Sequence, residues 1–446
     1  MNETELRRCA RDTWYSLTTL VDEGTGLPSD QMDGAGSRVA YTSPTNIAGY
    51  LWSALAVHQL GFVTDREVTT RIAQVLDTLA RIDRHEPSGM YYNWYTPDTC
   101  AVMKTWPKDG VPVDLFLSSV DNAWLAASLW LVCQAAPSLA RPAAALLDSM
   151  DFRWHYDPAV GLLRGGFWTS RPDGPSVLDD QTLVFHTPHH YGVLNSETRI
   201  ASYVGIALGQ LEPDHYFRLW RVPPDSAPPE WRGRASRAAV RAHLGVPVTE
   251  GCYRYGDISL VPSWGGGMFE ALMVPILIPE ARWGKGSWAV NHRRYVDAQI
   301  AYCLRDAAYG YWGLSPCKDP AGDYGEYGVP HIGIRPEGEA AGTGPDRAVV
   351  TPHASFLALD HRPREALHNL ARLRRDFALY GPGGYYDSVN VVTGEVSEHY
   401  LTLDQAMILG AIANLLRPDC LRRYCGVGAW REAIRPLLKM ERFRLG

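Results

Sequence analysis

Apolar residues recur at helical spacing over most of this 446-residue chain, and the helical stretches arrive in pairs separated by connections that are alternately short and long. Residues 4–21 carry the first stretch and stop at Asp-Glu-Gly-Thr-Gly. Thr42-Ser43-Pro44 opens the second, with a hydroxyl ready to accept an amide and a proline in the first turn, and it runs through Tyr50, Leu51, Leu55 and Leu60 to Gly61. Thr64-Asp65-Arg66-Glu67 reads as a capping box ahead of Val68, Ile72, Val75, Leu76 and Leu79 on one face. The same signals predict helices at 118–135, 139–149, 196–210, 266–277, 287–308, 350–358, 362–377, 399–416 and 428–439, whereas only 161–168 and 384–392 read as short hairpins. About a dozen paired helices, no fixed repeat and no linker-like tract predict an all-α fold, an (α/α)6 toroid formed by a single domain over 1–446. Long connections at 86–117, 157–195, 220–262 and 312–349, rich in Gly, Pro, Trp, Tyr and His, are expected to gather at one face and wall a cleft.

Charge and composition narrow what such a cleft would hold. A net charge of −6 with interspersed signs lacks the basic stripe that nucleic acid requires. No run approaches the ~20 apolar residues of a membrane span, and residues 1–11 lack the apolar core of a secretory signal, so a cytoplasmic location is expected. The eight cysteines include no CxxC pair, which argues against a zinc cage; no metal and no cofactor is expected. The aromatic balance is unusual, at 15 Trp and 23 Tyr against 10 Phe. Trp and Tyr pair a flat apolar face with a polar edge, which suits either a tightly packed core or a sugar ring.

Polar residues stand where apolar helices begin. Asn46 lies on the opening turn after Ser43-Pro44, and Asp121 on the first turn of the helix Leu125, Ala126, Leu129, Trp130, where the helix dipole favours an ionised carboxylate. Glu197 and Arg199 sit in Asn195-Ser196-Glu197-Thr198-Arg199; a general acid at Glu197 requires burial to outweigh the helix terminus. Glu270 follows Trp264-Gly265-Gly266-Gly267, a tight turn read here as lying beside a sugar subsite. Asp404 and Gln405 interrupt an apolar helix, a costly arrangement unless both are satisfied or face a ligand. Capping, buried hydrogen bonding and first-turn salt bridges account for the same residues equally simply. Trp94, Tyr95, Trp312 and Tyr386 are candidate stacking residues, and His331 sits in a Gly-rich loop that reads as a lid.

The ordered segments TSPTNIAGYLWS, NWY, SSVDNAWLAA, DFRWHYDPAVGLLRGGF, LNSETRIASYVGIALGQL, SWGGGMFEALM, YGYWGLS, YGVPHIGI, VVTPHAS and YLTLDQAMILGAIANLL resemble the glucoamylase-like domain of endo-β-1,2-glucanases and of the transglycosylating part of cyclic β-1,2-glucan synthases. The resemblance extends over about residues 10–418. It implies the (α/α)6 toroid, action on β-1,2-linked glucose, and Glu197 as the acid by its match to the family's S-E-A-R segment. Asp121 and Glu270 are the candidates for the second carboxyl. The sequence departs from the family at Thr198, Gly267 and Ala271, and 169–190, with Asp179, Asp180, His186, His189 and His190, has no family counterpart.

Together these readings predict a glycoside hydrolase or transglycosylase binding an oligosaccharide or polysaccharide. Glu197 and either Asp121 or Glu270 are its catalytic carboxyls. Trp94, Tyr95, Trp264, Trp312 and Tyr386 stack on sugars, and Asn46, Arg199, His331, Asp404 and Gln405 read hydroxyls. The alternatives are a sugar-transferring enzyme of a biosynthetic pathway, a non-catalytic glycan binder on the same toroid and, disfavoured by the scattered Cys and His, a zinc enzyme of the lanthionine-cyclase kind.

Overall fold

Side-chain caps start the helices close to where the sequence sets them. In the computed structural model, which describes residues 1–225, 227–232, 235–335 and 347–445, Asn2 accepts from the Glu5 amide while Glu5 accepts from the Asn2 amide, launching α1 (Glu3–Leu20). Ser43 caps α2 (Pro44–Gln59) and Thr64 caps α3 (Asp65–Leu79). The chain continues through α4 (Ser119–Ala135), α5 (Ala140–Asp148), α6 (Arg199–Ala207), α7 (Met268–Leu272), α8 (Trp288–Ala301), α9 (Pro352–Leu357), α10 (Pro363–Asp376), α11 (Thr402–Leu416) and α12 (Gly428–Met440).

Burial sorts these helices into two kinds. α2 is buried on every face from Pro44 to Val57, and α4, α6 and α11 are nearly as enclosed. α3, α10 and α12 bury only a stripe, such as Val68, Ile72, Val75 and Leu76 in α3. The enclosed helices touch one another: α2 packs on α4 and α11, α4 on α6, and α9 on α7 and α11. One-sided helices cover them, α1 lying on α11 and α2, α3 on α2, α10 on α9 and α12 on α6. Trp52 of α2 ties three of the enclosed helices together. Its ring lies 5.8 Å from that of Trp124, and its Nε1 donates to the Ala406 carbonyl at 3.0 Å.

Small antiparallel sheets occupy the long connections, so the all-α expectation is corrected to a mainly helical fold with added strands. β1 (Gln31–Asp33) pairs with β14 (His399–Leu401). β2 (Phe116–Ser118), β3 (Gly166–Trp168), β4 (Val177–Asp179) and β5 (Val184–His186) form a sheet in the order β2–β3–β5–β4, which absorbs most of the unmatched stretch 169–190. β6 (Ala235–His243) and β7 (Val246–Tyr255) make a long hairpin, extended by β8 (Ile258–Leu260). Leu244 and Gly245 turn that hairpin with φ of 49° and 83°, the sign a two-residue primed turn requires. β9 (Cys317–Lys318) pairs with β10 (Tyr324–Gly325), and β11 (Val349–Val350), β12 (Ser388–Asn390) and β13 (Val396–Ser397) form a further sheet; two-residue pairings also join Tyr156–Asp157 to Leu162–Leu163 and Tyr380–Gly381 to Gly384–Tyr385. Strands of two or three residues are too short to show alternation, and β6 is rich in Ala and Arg, so neither signalled itself.

Three helices end differently from expectation. Residues 196–198 form a tight turn before α6, closed by Arg199 N–H to Ser196 O at 3.1 Å and Ile200 N–H to Glu197 O at 3.0 Å. α7 stops at Leu272 because Pro275 cannot continue it, and a 3-10 turn follows over Val274–Ile276. α8 runs into a π-helical turn, Tyr302–Asp306. The expected 312–349 connection is described only in part, residues 336–346 lying outside the described residues. No helix among the described residues is long and apolar enough to cross a membrane.

Candidate active site

The long connections bring aromatic side chains to a cleft with two chambers, of about 420 Å³ and 560 Å³. Glu197, Phe269 and Tyr324 line both, so the chambers meet at Glu197. The first is walled by Trp94 and Trp106 of the 86–117 connection, whose rings lie 5.9 Å apart, each edge-on to Tyr41. In the second, Trp231 stands edge-on to Trp264 with ring centres 5.1 Å apart, and Trp220 adds a third indole. Tyr324, at the tip of the β9–β10 hairpin, remains 57 % exposed where the chambers join.

Glu197 and Glu270 share the second chamber. Glu197 lies half-buried, accepts a 2.8 Å hydrogen bond from the Ser196 hydroxyl and has its carboxyl raised by burial. Glu270 is buried, and its carboxyl is pushed up to about 7, first by desolvation and then by the negative charge of Glu197. Three donors hold the Glu270 carboxylate in place: the Gly265 amide at 3.0 Å, the Gly267 amide at 3.2 Å and the Ser263 hydroxyl. A Cβ at Gly265 would stand 3.0 Å from Glu270 Oε1, so a side chain there would press directly on this carboxylate. Gly266 answers a different demand. Its φ is +79°, and a Cβ there would meet the Val329 carbonyl at 2.1 Å, so the glycine run permits close approach of the 328–333 backbone rather than of a sugar.

Arg199 joins the two carboxyl-bearing segments. Its guanidinium forks onto Glu280 at 2.7 and 2.8 Å and donates to the carbonyls of Ser196 (2.8 Å), Glu270 (3.2 Å) and Ala271 (2.8 Å). The group is fully buried over the Trp288 ring. Its partners depress Glu280 to about 2 against the desolvation that opposes ionisation. Arg199 therefore braces the Ser196–Glu197 turn against the end of α7, and the expectation that it reads sugar hydroxyls is corrected.

The floor of the first chamber is acidic. Asp121 accepts from the Thr45 hydroxyl at 2.6 Å, and Asn46 Nδ2 donates to Asp30 at 2.7 Å. Asp404 lines the same chamber while almost fully buried, and its carboxyl rises to about 7. Asp387 beside it is raised as well, first by desolvation and then by the charge of Asp404, because two carboxylates desolvated together cannot both ionise cheaply. His353, Asp387 and Asp404 offer ligand atoms within 4.8 Å of one another, the one such group found among the described residues. The Thr351 hydroxyl already engages His353 Nδ1 at 2.8 Å, and the Lys318 amide donates to Asp387 at 2.6 Å. His353 Nδ1 also lies 3.3 Å from Asp404 Oδ2, while His353 Nε2 and Asp387 Oδ1 are buried without a hydrogen-bond partner.

Of the other residues singled out from sequence, Asn46, Trp94, Trp264 and Asp404 line the cleft with the three carboxyls Asp121, Glu197 and Glu270. Five others do not, Arg199 apart. Tyr95 is fully buried with its hydroxyl on the Asp83 carbonyl at 2.6 Å, and Trp312 packs in the core. Tyr386 packs on Tyr400, and Gln405 holds the Tyr385 carbonyl at 3.0 Å. His331 is exposed and stacks on Tyr255, with ring centres 5.4 Å apart. Sequence reasoning passed over Asp30, Trp106, Lys318 and Trp231, all of which line the cleft, and placed Tyr324 only in the Gly-rich loop read as a lid; Trp106 and Trp231 were signalled by the aromatic content of the long connections, Asp30 and Lys318 by nothing local.

Comparison with known proteins bears out the resemblance read from the motifs. Residues 238–425 match the family described as "Putative glucoamylase", and residues 8–161 a family described as a protein of unknown function. The chain is 30% identical over 305 residues to the cyclic β-(1,2)-glucan synthase NdvB of Rhizobium meliloti (strain 1021), a match that takes in 65% of this chain and spans 9% of that protein. The fold is shared with the endo-β-1,2-glucanase of Chitinophaga pinensis, solved with sophorotriose and glucose, at a TM-score of 0.71 and 14% identity over 98% of each chain. It is likewise shared with the β-1,2-glucanase of Parabacteroides distasonis, at a TM-score of 0.73 and 15% identity over 99% of this chain and 60% of that one.

Proposed function

We propose that this chain cleaves or transfers β-1,2-linked glucosyl units in the two-chambered cleft, with Glu197 as the acid and Glu270 as the second carboxyl. The observation that carries the reading is a pair of glutamates in one aromatic-walled chamber, each with its carboxyl raised and each fixed by its own hydrogen bonds. Sugar rings stacked on the Trp94 and Trp106 wall on one side, and on the Trp231 and Trp264 wall on the other, would place a glycosidic oxygen at Glu197, where the chambers meet. The reactive form is the one with the proton on Glu197 and Glu270 ionised: Glu197 gives its proton to that oxygen as the C1–O bond breaks, and the Glu270 carboxylate attacks C1 from the opposite face. Water completes hydrolysis and a sugar hydroxyl completes transfer, in either case returning a proton to Glu197. A carboxyl separation of about 5–5.5 Å in the substrate complex corresponds to this retaining route.

Asp121 supports a second reading. It shares the first chamber with Glu197, so an attacking water held between Asp121 and the sugar would instead invert the configuration. We further propose that the chain forms one (α/α)6 toroid. In support, the enclosed helices α2, α4, α6, α7, α9 and α11 succeed one another through contacts or through the Arg199 bonds, with one-sided helices outside them.

The test is incubation of the protein with linear β-1,2-glucan, alongside β-1,3-, β-1,4- and α-1,4-linked glucans, with chromatography of the products. New oligosaccharides from the β-1,2 substrate alone are expected. Their absence there, with products from another linkage, would replace the substrate assignment.

A further inference from the structure

Away from the cleft, the turn before α8 and the last helix enclose a groove of about 820 Å³ that is lined by basic side chains and by no acidic one. Arg431, Arg435 and Lys439 stand at successive i, i+4 positions of α12, and Arg442 follows one residue beyond the cap. Arg282 and Lys285 face them from the Glu280–Trp283 turn and the loop after it. Arg282 pairs with Asp419 at 2.6 Å. Among the described residues no carboxylate pairs with Lys285, Arg431, Arg435, Lys439 or Arg442; the Arg442 guanidinium donates only to the carbonyls of Lys439 and Glu441, at 2.8 Å each. This concentration of one sign occurs in a chain whose net charge is −6.

Like charges at i, i+4 weaken a helix, and a Glu at either neighbouring position would relieve them. Glu432, three residues before Arg435, is the one acidic residue of this helix, and it does not line the groove. From Arg431 to Lys439 the helix rises about 12 Å, more than one phosphate group can reach. The groove is concave, which suits a molecule that enters it better than a flat lipid surface. Arginine forks match the paired oxygens of phosphoryl groups.

We propose that this groove binds a soluble anion carrying several phosphoryl groups, with Arg431, Arg435, Lys439, Arg442 and Lys285 as its ligands. The site stands independently of the reading of the cleft, with which it shares no lining residue.

Titration calorimetry of the full chain with sodium tripolyphosphate tests it, with orthophosphate and phosphatidylglycerol vesicles as comparison probes. Tripolyphosphate is expected to bind, more weakly as salt rises, and orthophosphate at least about tenfold less tightly. The triple variant R431Q/R435Q/K439Q is expected to lose about tenfold or more of the affinity for tripolyphosphate. It should keep a Tm no lower than the parent's, because repulsion has been removed; K285Q, on the loop, provides a second and milder loss should the helix variant fold poorly. Unchanged affinity in both variants, or binding of the vesicles without binding of tripolyphosphate, would overturn the proposal.

Discussion

Replacing Arg199 with Met tests whether this side chain braces the site or reads the substrate. Glu280, its buried partner, titrates at about 2 in the fold instead of the ordinary 4.5. At about 1.4 kcal/mol per unit, the partners of Glu280 contribute about 3 kcal/mol to stability near neutral pH. Because the folded value is depressed, that contribution is fully present above about 4.5 and is lost as pH falls toward 2. Arg199→Met removes the main partner and leaves an ionised carboxylate with only Tyr203 and His292 beside it. Truncating one member of a buried pair costs about 3–5 kcal/mol, and the carbonyls of Ser196, Glu270 and Ala271 lose their donor in addition. Urea unfolding at pH 7 should show a loss of that size, and Arg199→Lys, which keeps the charge but not the fork, a smaller one. In the glucan assay kcat should fall, because the turn carrying Glu197 is no longer tied to α7. A variant with unchanged unfolding midpoint and a raised KM would refute the bracing role and return Arg199 to the substrate.

Trp94→Ala and Trp264→Ala each remove a stacking face from one chamber, so each should raise KM on β-1,2-glucan about tenfold with little change in kcat; an unchanged KM in one of them would remove that chamber from the binding path. Glu270 holds its proton to about 7 when folded but only to about 4.5 when unfolded, so its contribution to stability is present at low pH and lost as pH rises between those values. The Tm of the parent should therefore fall from pH 5 to pH 8 by more than that of Glu270→Gln, and parallel curves would contradict the assigned burial.

The helices were legible because caps and periodicity are local. Ser43, Thr64 and the stripe from Val68 to Leu79 each act within a turn or two of their own position. The strands were not, since β3 and β5 gain their partners from residues as distant as Phe116 and pair over two or three residues. For the site, an acid in an apolar context pointed usefully at Glu270 and Asp404, where burial does shape the chemistry. Aromatic residues misled where a Trp or Tyr was as well suited to the core as to a sugar, as with Tyr95 and Trp312. Arg199 could not be read correctly from sequence, because Glu280, the partner that explains it, lies 81 residues away. Trp231 and Tyr324 reach the cleft only through the hairpins that carry or flank them; one pairs over two residues, and in the other the alternation of Val246 and Val248 stops at Gly251 and the partner strand is rich in Ala and Arg.

The most direct test of the paired-glutamate account is to compare turnover of β-1,2-glucan by the parent, Glu197→Gln and Glu270→Gln while measuring oligosaccharide binding by calorimetry. Loss of an essential acid or of the opposing carboxyl predicts a fall in kcat of about a thousandfold or more in each variant, with Kd kept within a few-fold. Turnover within tenfold of the parent in either variant would contradict the assignment.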